Sequence, residues 1–302
     1  MPLLRSSAIK IFDLSVPLVV ILGVFLIFTG LAMVDSSATQ VTSDAETYVK
    51  DSPASGLASD GLGRGGIGGP FSVYPHGPPH IIIDTFSEGV EASGFPKGWK
   101  PLHFKKILRH PQYTLEQQGE NSVLKAVSRA SASGIYKDLD LDLREYPILS
   151  WRWRVENIIQ KGDEHTKIGD DYAARIYVTF RYDSARVSVW ERAKHETYRL
   201  LYGEYPPSGS LNYIWANKLA KGTAIDSAYT DRSKMVAVES GSEGIGEWRI
   251  EQRDVYQDYK KLFGDEPPSP LTVAIMTDTD NTGESATAYY DDIVFIKLDA
   301  KD

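Results

Sequence analysis

The chain has 302 residues and a formal net charge of −8, with a pI near 5.4. That acidic balance excludes the basic stripe a nucleic-acid surface needs. There is no cysteine, which excludes disulfides, thiolate metal sites, a cysteine nucleophile and a lipoprotein anchor.

In chain order, residues 1–13 carry Arg5 and Lys10. Leu14–Val34 is then an uncharged run of about 21 residues, long enough for the ~30 Å hydrocarbon core. Asp35, Asp44 and Glu46 follow it. The charge asymmetry puts the N-terminus in the cytoplasm and the rest outside. The run reads as a single-pass inner-membrane anchor with a periplasmic domain. The rival reading is a signal sequence cleaved after Ser36-Ser37-Ala38 to give a secreted chain; the length of the run favours the anchor. Residues 35–80 are rich in Gly and Pro and read as a flexible tether. Gly61–Pro70 lacks the Gly-Lys-Ser/Thr ending of a phosphate loop.

Residues 81–302 hold the folded domain, beginning at Ile81-Ile-Ile-Asp-Thr-Phe86. Apolar and β-branched segments follow between turn residues: Ser122–Val127, Gly134–Tyr136, Ile148–Val155, Ala173–Tyr182, Lys234–Glu239, Glu247–Arg253, Leu271–Thr277 and Tyr289–Leu298. Many short strands without alternating helices predict an all-β fold, an antiparallel sandwich of jelly-roll type. Two helical insertions are expected. Ser188 and Glu191 form a capping box for the first, and the second runs Val255–Phe263 before Gly264. Trp190 and Trp215 read as packing residues, and His195 as a solvated helix residue. His195-Glu196 does not make a zinc-protease helix, because Arg199 stands where the second His belongs. No Gly-x-Ser-x-Gly elbow is present.

Asp278-x-Asp280-x-Thr282-Gly283 copies the first half of a calcium loop, but position twelve is Tyr289 and not a bidentate Glu. A looser calcium site and a tight hairpin are both open readings of this turn. His165 with Asp163 and Glu164 is a weak metal set. Asp170 and Asp171 stand at a strand entrance.

Side-chain alternation in strands assigns faces. Trp151, Trp153 and Val155 should face the core, sending Arg152 and Arg154 outward. Ala174, Ile176, Val178 and Phe180 should face the core, with Asp171, Arg175 and Tyr177 opposite. Trp248 and Ile250 should face the core, with Glu251 and Arg253 outward. The expected ligand-binding face therefore holds Arg152, Arg154, Asp171, Arg175, Tyr177, Glu251, Arg253, Asp278, Asp280 and Asn281. Arginine's rigid fork suits polar ligands there; the competing reading is cross-strand ion pairs.

Trp151-Arg-Trp-Arg-Val155, Gly169–Val178, Leu211–Ala216, Glu247–Val255 and Thr277–Gly283 with Tyr289–Ile293 together resemble the domain-of-unknown-function family 3047. The resemblance implies an exported or membrane-tethered domain and no known activity. The Val187–Tyr205 segment is longer than the family usually carries. More distantly, Asp84-x-Phe86 and Tyr289-Tyr-Asp-Asp-Ile293 look like the end strands of jelly-roll carbohydrate-binding modules. That likeness implies a structural calcium joining the two ends, with Asp84 and Asp292 as ligands. The expected function is a membrane-anchored, non-catalytic β-sandwich binding a glycan. The rivals are a glycosidase using paired carboxylates ~5–10 Å apart and an envelope scaffold.

Overall fold

The computed structural model describes residues 78–202 and 205–298. The expected anchor, and most of the tether, lie outside them. Among the described residues no helix is long and apolar enough to cross a membrane.

Two sheets face each other. The first is six-stranded and runs β11-β6-β13-β4-β3, with β1 also pairing β13. Its strands are β1 (His80–Asp84), β3 (Gln112–Gln118), β4 (Asn121–Arg129), β6 (Ile148–Val155), β11 (Arg249–Asp254) and β13 (Ser285–Ile296). The second is seven-stranded, in the order β2-β5-β12-β7-β8-β10-β9. It is built from β2 (Lys100–Leu102), β5 (Gly134–Asp138), β7 (Arg175–Phe180), β8 (Gly209–Ala216), β9 (Ala224–Ser227), β10 (Thr230–Ser240) and β12 (Pro270–Met276). The helices are α1 (Val189–Tyr202) and α2 (Val255–Phe263).

The all-β sandwich is as expected, with one exception to antiparallel pairing. β8 and β10 run parallel, because the chain leaves β8, forms edge strand β9 one place further out, and returns as β10 between them. The Asp278–Glu284 turn is not a hairpin either. It carries the chain from β12 in the second sheet to β13 in the first.

The core forms where the alternating apolar sets of the two sheets meet. Trp151 and Trp153 of β6 lie against Tyr213 and Trp215 of β8, with ring centroids 5.5 and 6.0 Å apart. Ile176, Val178 and Phe180 of β7 and Tyr290 of β13 belong to the same cluster. The face assignments for β6 and β7 hold, since both are inner strands with an apolar set on one parity. Trp215 packs as expected. Trp190 does not: it is 82% exposed. His195 takes the inward place and stacks on Tyr182 at 4.1 Å. The two residues are five apart, roughly 140° around a helix, so when one faces in the other faces out.

β11 inverts its expected faces. Glu251 pairs in register with Trp151 and Arg253 with Leu149, so both charged residues share the inward side. Ile250, opposite Arg152, points outward and is 52% exposed. The reason is position. β11 is the edge strand, and its inward face meets polar groups of neighbouring elements, not the middle of the core. Arg253 makes a paired contact with Asp258 of α2, 2.9 Å from Nε and 2.5 Å from Nη2. Tyr213 donates to the same carboxylate at 2.9 Å. Glu251 accepts from Trp153 Nε1 at 3.3 Å and lies beside Glu239 of β10, which Lys221 neutralises at 2.8 Å.

Burial, with Glu239 adding, pushes Glu251 up to about 8. A carboxyl that holds its proton more tightly folded than unfolded stabilises the fold at acid pH. That contribution is complete below about pH 4 and is lost as pH rises through about 8. We expect the native state to lose on the order of 3 kcal/mol between pH 5 and 8 from this group. Glu251→Gln should flatten that slope in denaturant melts across the range. Parallel slopes in wild type and variant would show that Glu251 is ionised throughout.

Candidate functional site

The residues expected on one face fall into three groups. Glu251 and Arg253 sit at the sandwich edge, as described above. Arg152 and Arg154 lie on the non-core side of the first sheet. Asp171, Arg175, Tyr177, Asp278, Asp280 and Asn281 gather at the end of β7 and β12 in the second. The non-core sides of two packed sheets look away from each other, so no single open face forms.

The β7–β12 group is built by bonds that continue the pairing past the strand ends, one from a side chain and one from the backbone. Thr277 Oγ1 donates to Ala173 O at 2.8 Å, and Asp278 N–H to Tyr172 O at 3.1 Å. Tyr290 reaches across from the first sheet. Its hydroxyl donates to Met276 O at 2.9 Å and accepts from Arg175 N–H at 3.3 Å. Arg175 is thereby set beside Asp278, and its Nη2 donates to Oδ2 at 2.5 Å. Asp171 holds the crossing turn, accepting from the N–H groups of Asn281 at 3.3 Å and Thr282 at 2.7 Å. Gly283 closes the turn at φ 72°, a left-handed conformation that costs glycine little. Asp171, Asp278 and Asp280 each bring an oxygen within 4.8 Å of the others. Among the described residues this is the cluster whose oxygens lie close enough together for one cation.

This group is not an open binding face. Arg175 is 3% exposed and Asp278 1%. Tyr177 is covered by Leu102 and Phe104 in a small apolar cluster, and its hydroxyl donates to Met276 Sδ at 3.1 Å. The Arg175 guanidinium lies over the Tyr172 and Tyr177 rings, 4.9 and 5.3 Å from their centroids. Burial pushes Asp278 well above the usual carboxylate range. Arg175 pulls against this, while Asp171, Asp170 and Asp280 add to it. Burial likewise raises Asp170 and Asp280. An arginine buried against a carboxylate belongs to the fold, and its removal leaves an uncompensated charge.

Asp84 and Asp292, the expected calcium ligands, stand on neighbouring strands, since Asp84 pairs in register with Ile293. Asp84 accepts from Phe86 N–H at 2.6 Å and Trp99 Nε1 at 2.7 Å, and Lys137 Nζ stands 3.2 Å away. Asp292 faces Arg152 Nε at 2.7 Å. Each carboxylate thus faces a basic side chain. In the loop before β7, Glu164 accepts from the N–H groups of Asn217 and Leu219 at 2.5 and 3.1 Å, and Asp163 accepts from His165 N–H at 3.1 Å. Those two carboxylates serve the backbone.

The non-core side of the first sheet is the more accessible. Trp248, Arg154 of β6, Tyr289 of β13 and Lys125 of β4 make a row across it. Arg154 pairs in register with Tyr289, and Tyr289 with Lys125. The Arg154 guanidinium is 4.2 Å from the Tyr289 centroid and 5.5 Å from that of Trp248. Arg152 lies 4.7 Å from the Trp248 centroid and binds Asp291 and Asp292. Asp292 sits at a break in register, at φ 50°. Burial, with Asp292 adding, pushes Asp291 up to about 7 against the pull of Arg152. Sequence reasoning found the arginines but placed Trp248 in the core and left Tyr289 unassigned. The pair Tyr289-Tyr290 held the signal: successive strand residues face opposite ways, so one tyrosine had to face out.

No curated protein matches the chain. Among solved structures, it is similar to the family 11 carbohydrate-binding module of the cellulosomal cellulase Lic26A-Cel5E of Clostridium thermocellum. The TM-score is 0.37 at 10% identity, over 74% of this chain and 96% of that one. It is also similar to the CBM22-1 xylan-binding domain of Paenibacillus barcinonensis Xyn10C, with a TM-score of 0.32 at 12% identity, over 74% and 97% of the two chains. The family described as "Protein of unknown function (DUF3047)" matches residues 97–294, and the chain belongs to it.

Proposed function

We propose that the domain is a non-catalytic, glycan-binding β-sandwich held at the cell envelope by its N-terminal apolar run. One observation carries the reading: the row of Trp248, Arg154, Tyr289 and Lys125 across the non-core side of the first sheet. A plain solvated face offers short polar groups. This one offers the half-exposed Trp248 ring beside the Arg154 guanidinium, with the buried Tyr289 ring beneath. Sugars present C–H faces that pack on rings and hydroxyls that bond arginine and carboxylate. Trp248 and Arg154 keep part of their surface in solvent, and the half-exposed Ile250 faces the same side in register with Arg152.

The non-catalytic part of the reading rests on the carboxylates. Asp278, Asp291, Asp292 and Glu251, whose affinities for protons are raised, are all buried. Arg175 takes Asp278, Arg152 takes Asp291 and Asp292, and Trp153 bonds Glu251. These four do not stand open at a cleft as a glycosidase pair must; Asp280, raised as well, is half-buried at the crossing turn beside the buried Asp171 and Asp278.

A glycan array probed with the full-length protein tests the reading, followed by titration calorimetry on any hit. Trp248→Ala and Arg154→Ala should each weaken binding about tenfold or more while leaving the far-UV circular dichroism unchanged. An array without hits, or hits indifferent to both substitutions, overturns it.

The anchor rests on the length of Leu14–Val34 and the charges around it. Mass spectrometry of the mature N-terminus should find those residues retained in the membrane fraction. A chain beginning near Thr39 would make the run a cleaved signal sequence.

A further inference from the structure

We infer that Asp171, Asp278 and Asp280 form a site for a hard divalent cation of calcium type, which pins the turn that crosses between the sheets. The inference does not rest on the glycan reading, because the two places lie on different sheets. Three observations meet here.

The first is geometry. The three carboxylates bring oxygens within 4.8 Å of one another. Oxygens on opposite sides of a Ca²⁺ coordinated at about 2.3–2.6 Å are separated by about twice that distance. The donors are all oxygen, with no histidine in the group, and this favours a hard ion over a transition metal.

The second is an unanswered atom. Arg175 occupies Asp278 Oδ2. Asp278 Oδ1 is shielded from solvent and has no hydrogen-bond partner among the described residues. A buried carboxylate oxygen without a partner is costly, and a cation among these carboxylates would supply one. Arg175 balances one of the negative charges in the group, and a divalent ion balances two more.

The third is preorganisation. The Asp171 oxygens are held by the Asn281 and Thr282 N–H groups, and each retains a lone pair for an ion. Asp280 is half-buried and Asn281 exposed, so the ion enters from the turn. Asp171 and Asp278 stand 107 positions apart in sequence terms only; their meeting depends on the pairing of β7 with β12.

Terbium is the probe, because its luminescence is excited through nearby aromatic rings. Tyr172 bonds Asp170 at 3.0 Å, and Tyr229 lies close enough to feel the charges of Asp170 and Asp280. The full-length protein should give saturable terbium luminescence that calcium displaces. Millimolar calcium should raise the thermal midpoint by about 5 °C. Asp280→Asn should weaken binding about tenfold or more while leaving the far-UV spectrum intact. Asp171→Asn should do the same, but it also touches the turn's hydrogen bonds, so Asp280→Asn decides. If wild type shows neither saturable luminescence nor a midpoint shift up to about 10 mM calcium, the site does not exist. If Asp280→Asn binds as wild type does, the ion sits elsewhere and the assignment is equally overturned.

Discussion

The ion pair between Arg175 and Asp278 is the constraint around which the second sheet is arranged. β7 is buried along its whole length, yet it begins with an arginine. A guanidinium in that position survives only against a carboxylate placed with good geometry. Asp278 meets that need because β12 pairs with β7 and the chain then turns back beside it. Tyr290, from the other sheet, bonds the Arg175 N–H and Met276 O. The pair, the turn and the contact between sheets are thus one structure. Loosening any of them exposes the others to an unpaired buried charge.

The same arrangement separates two kinds of polar chemistry. At the end of β7 and β12 the charges are enclosed, and they act on the turn that leads into β13. On the far side of the first sheet, Arg152 and Arg154 are braced by aromatic rings and by Asp291 and Asp292, with part of the row open to solvent. The enclosed group braces the crossing turn, and the row leaves Trp248 and Arg154 partly in solvent. Arginine occurs in both because its fork can bond a carboxylate and its plane can lie on a ring.

Legibility followed the position of each strand in its sheet. β6 and β7 were readable because apolar residues occupy one parity and both strands have neighbours on each side. β11 was misread because an edge strand need not turn its apolar residues inward; Ile250 faces out and Glu251 in. β3 was missed because Gln112–Gln118 is mostly polar, and β9 because it is a short outer strand. β8 was missed as well, since its opening Gly-Ser reads as turn.

The sequence by itself determined the β class, the strand alternation that buries Trp151, Trp153, Ile176 and Val178, and the acidic turn Asp278–Gly283. These are local properties, set by side-chain type and a period of two residues. Only the tertiary structure decided that this turn bridges two sheets, that Asp171 stands beside Asp278 and Asp280, and that Arg175 and Arg152 look away from each other. Those relations depend on which strands become neighbours. Strand order is chosen by the packing of the whole domain, and no single segment carries it.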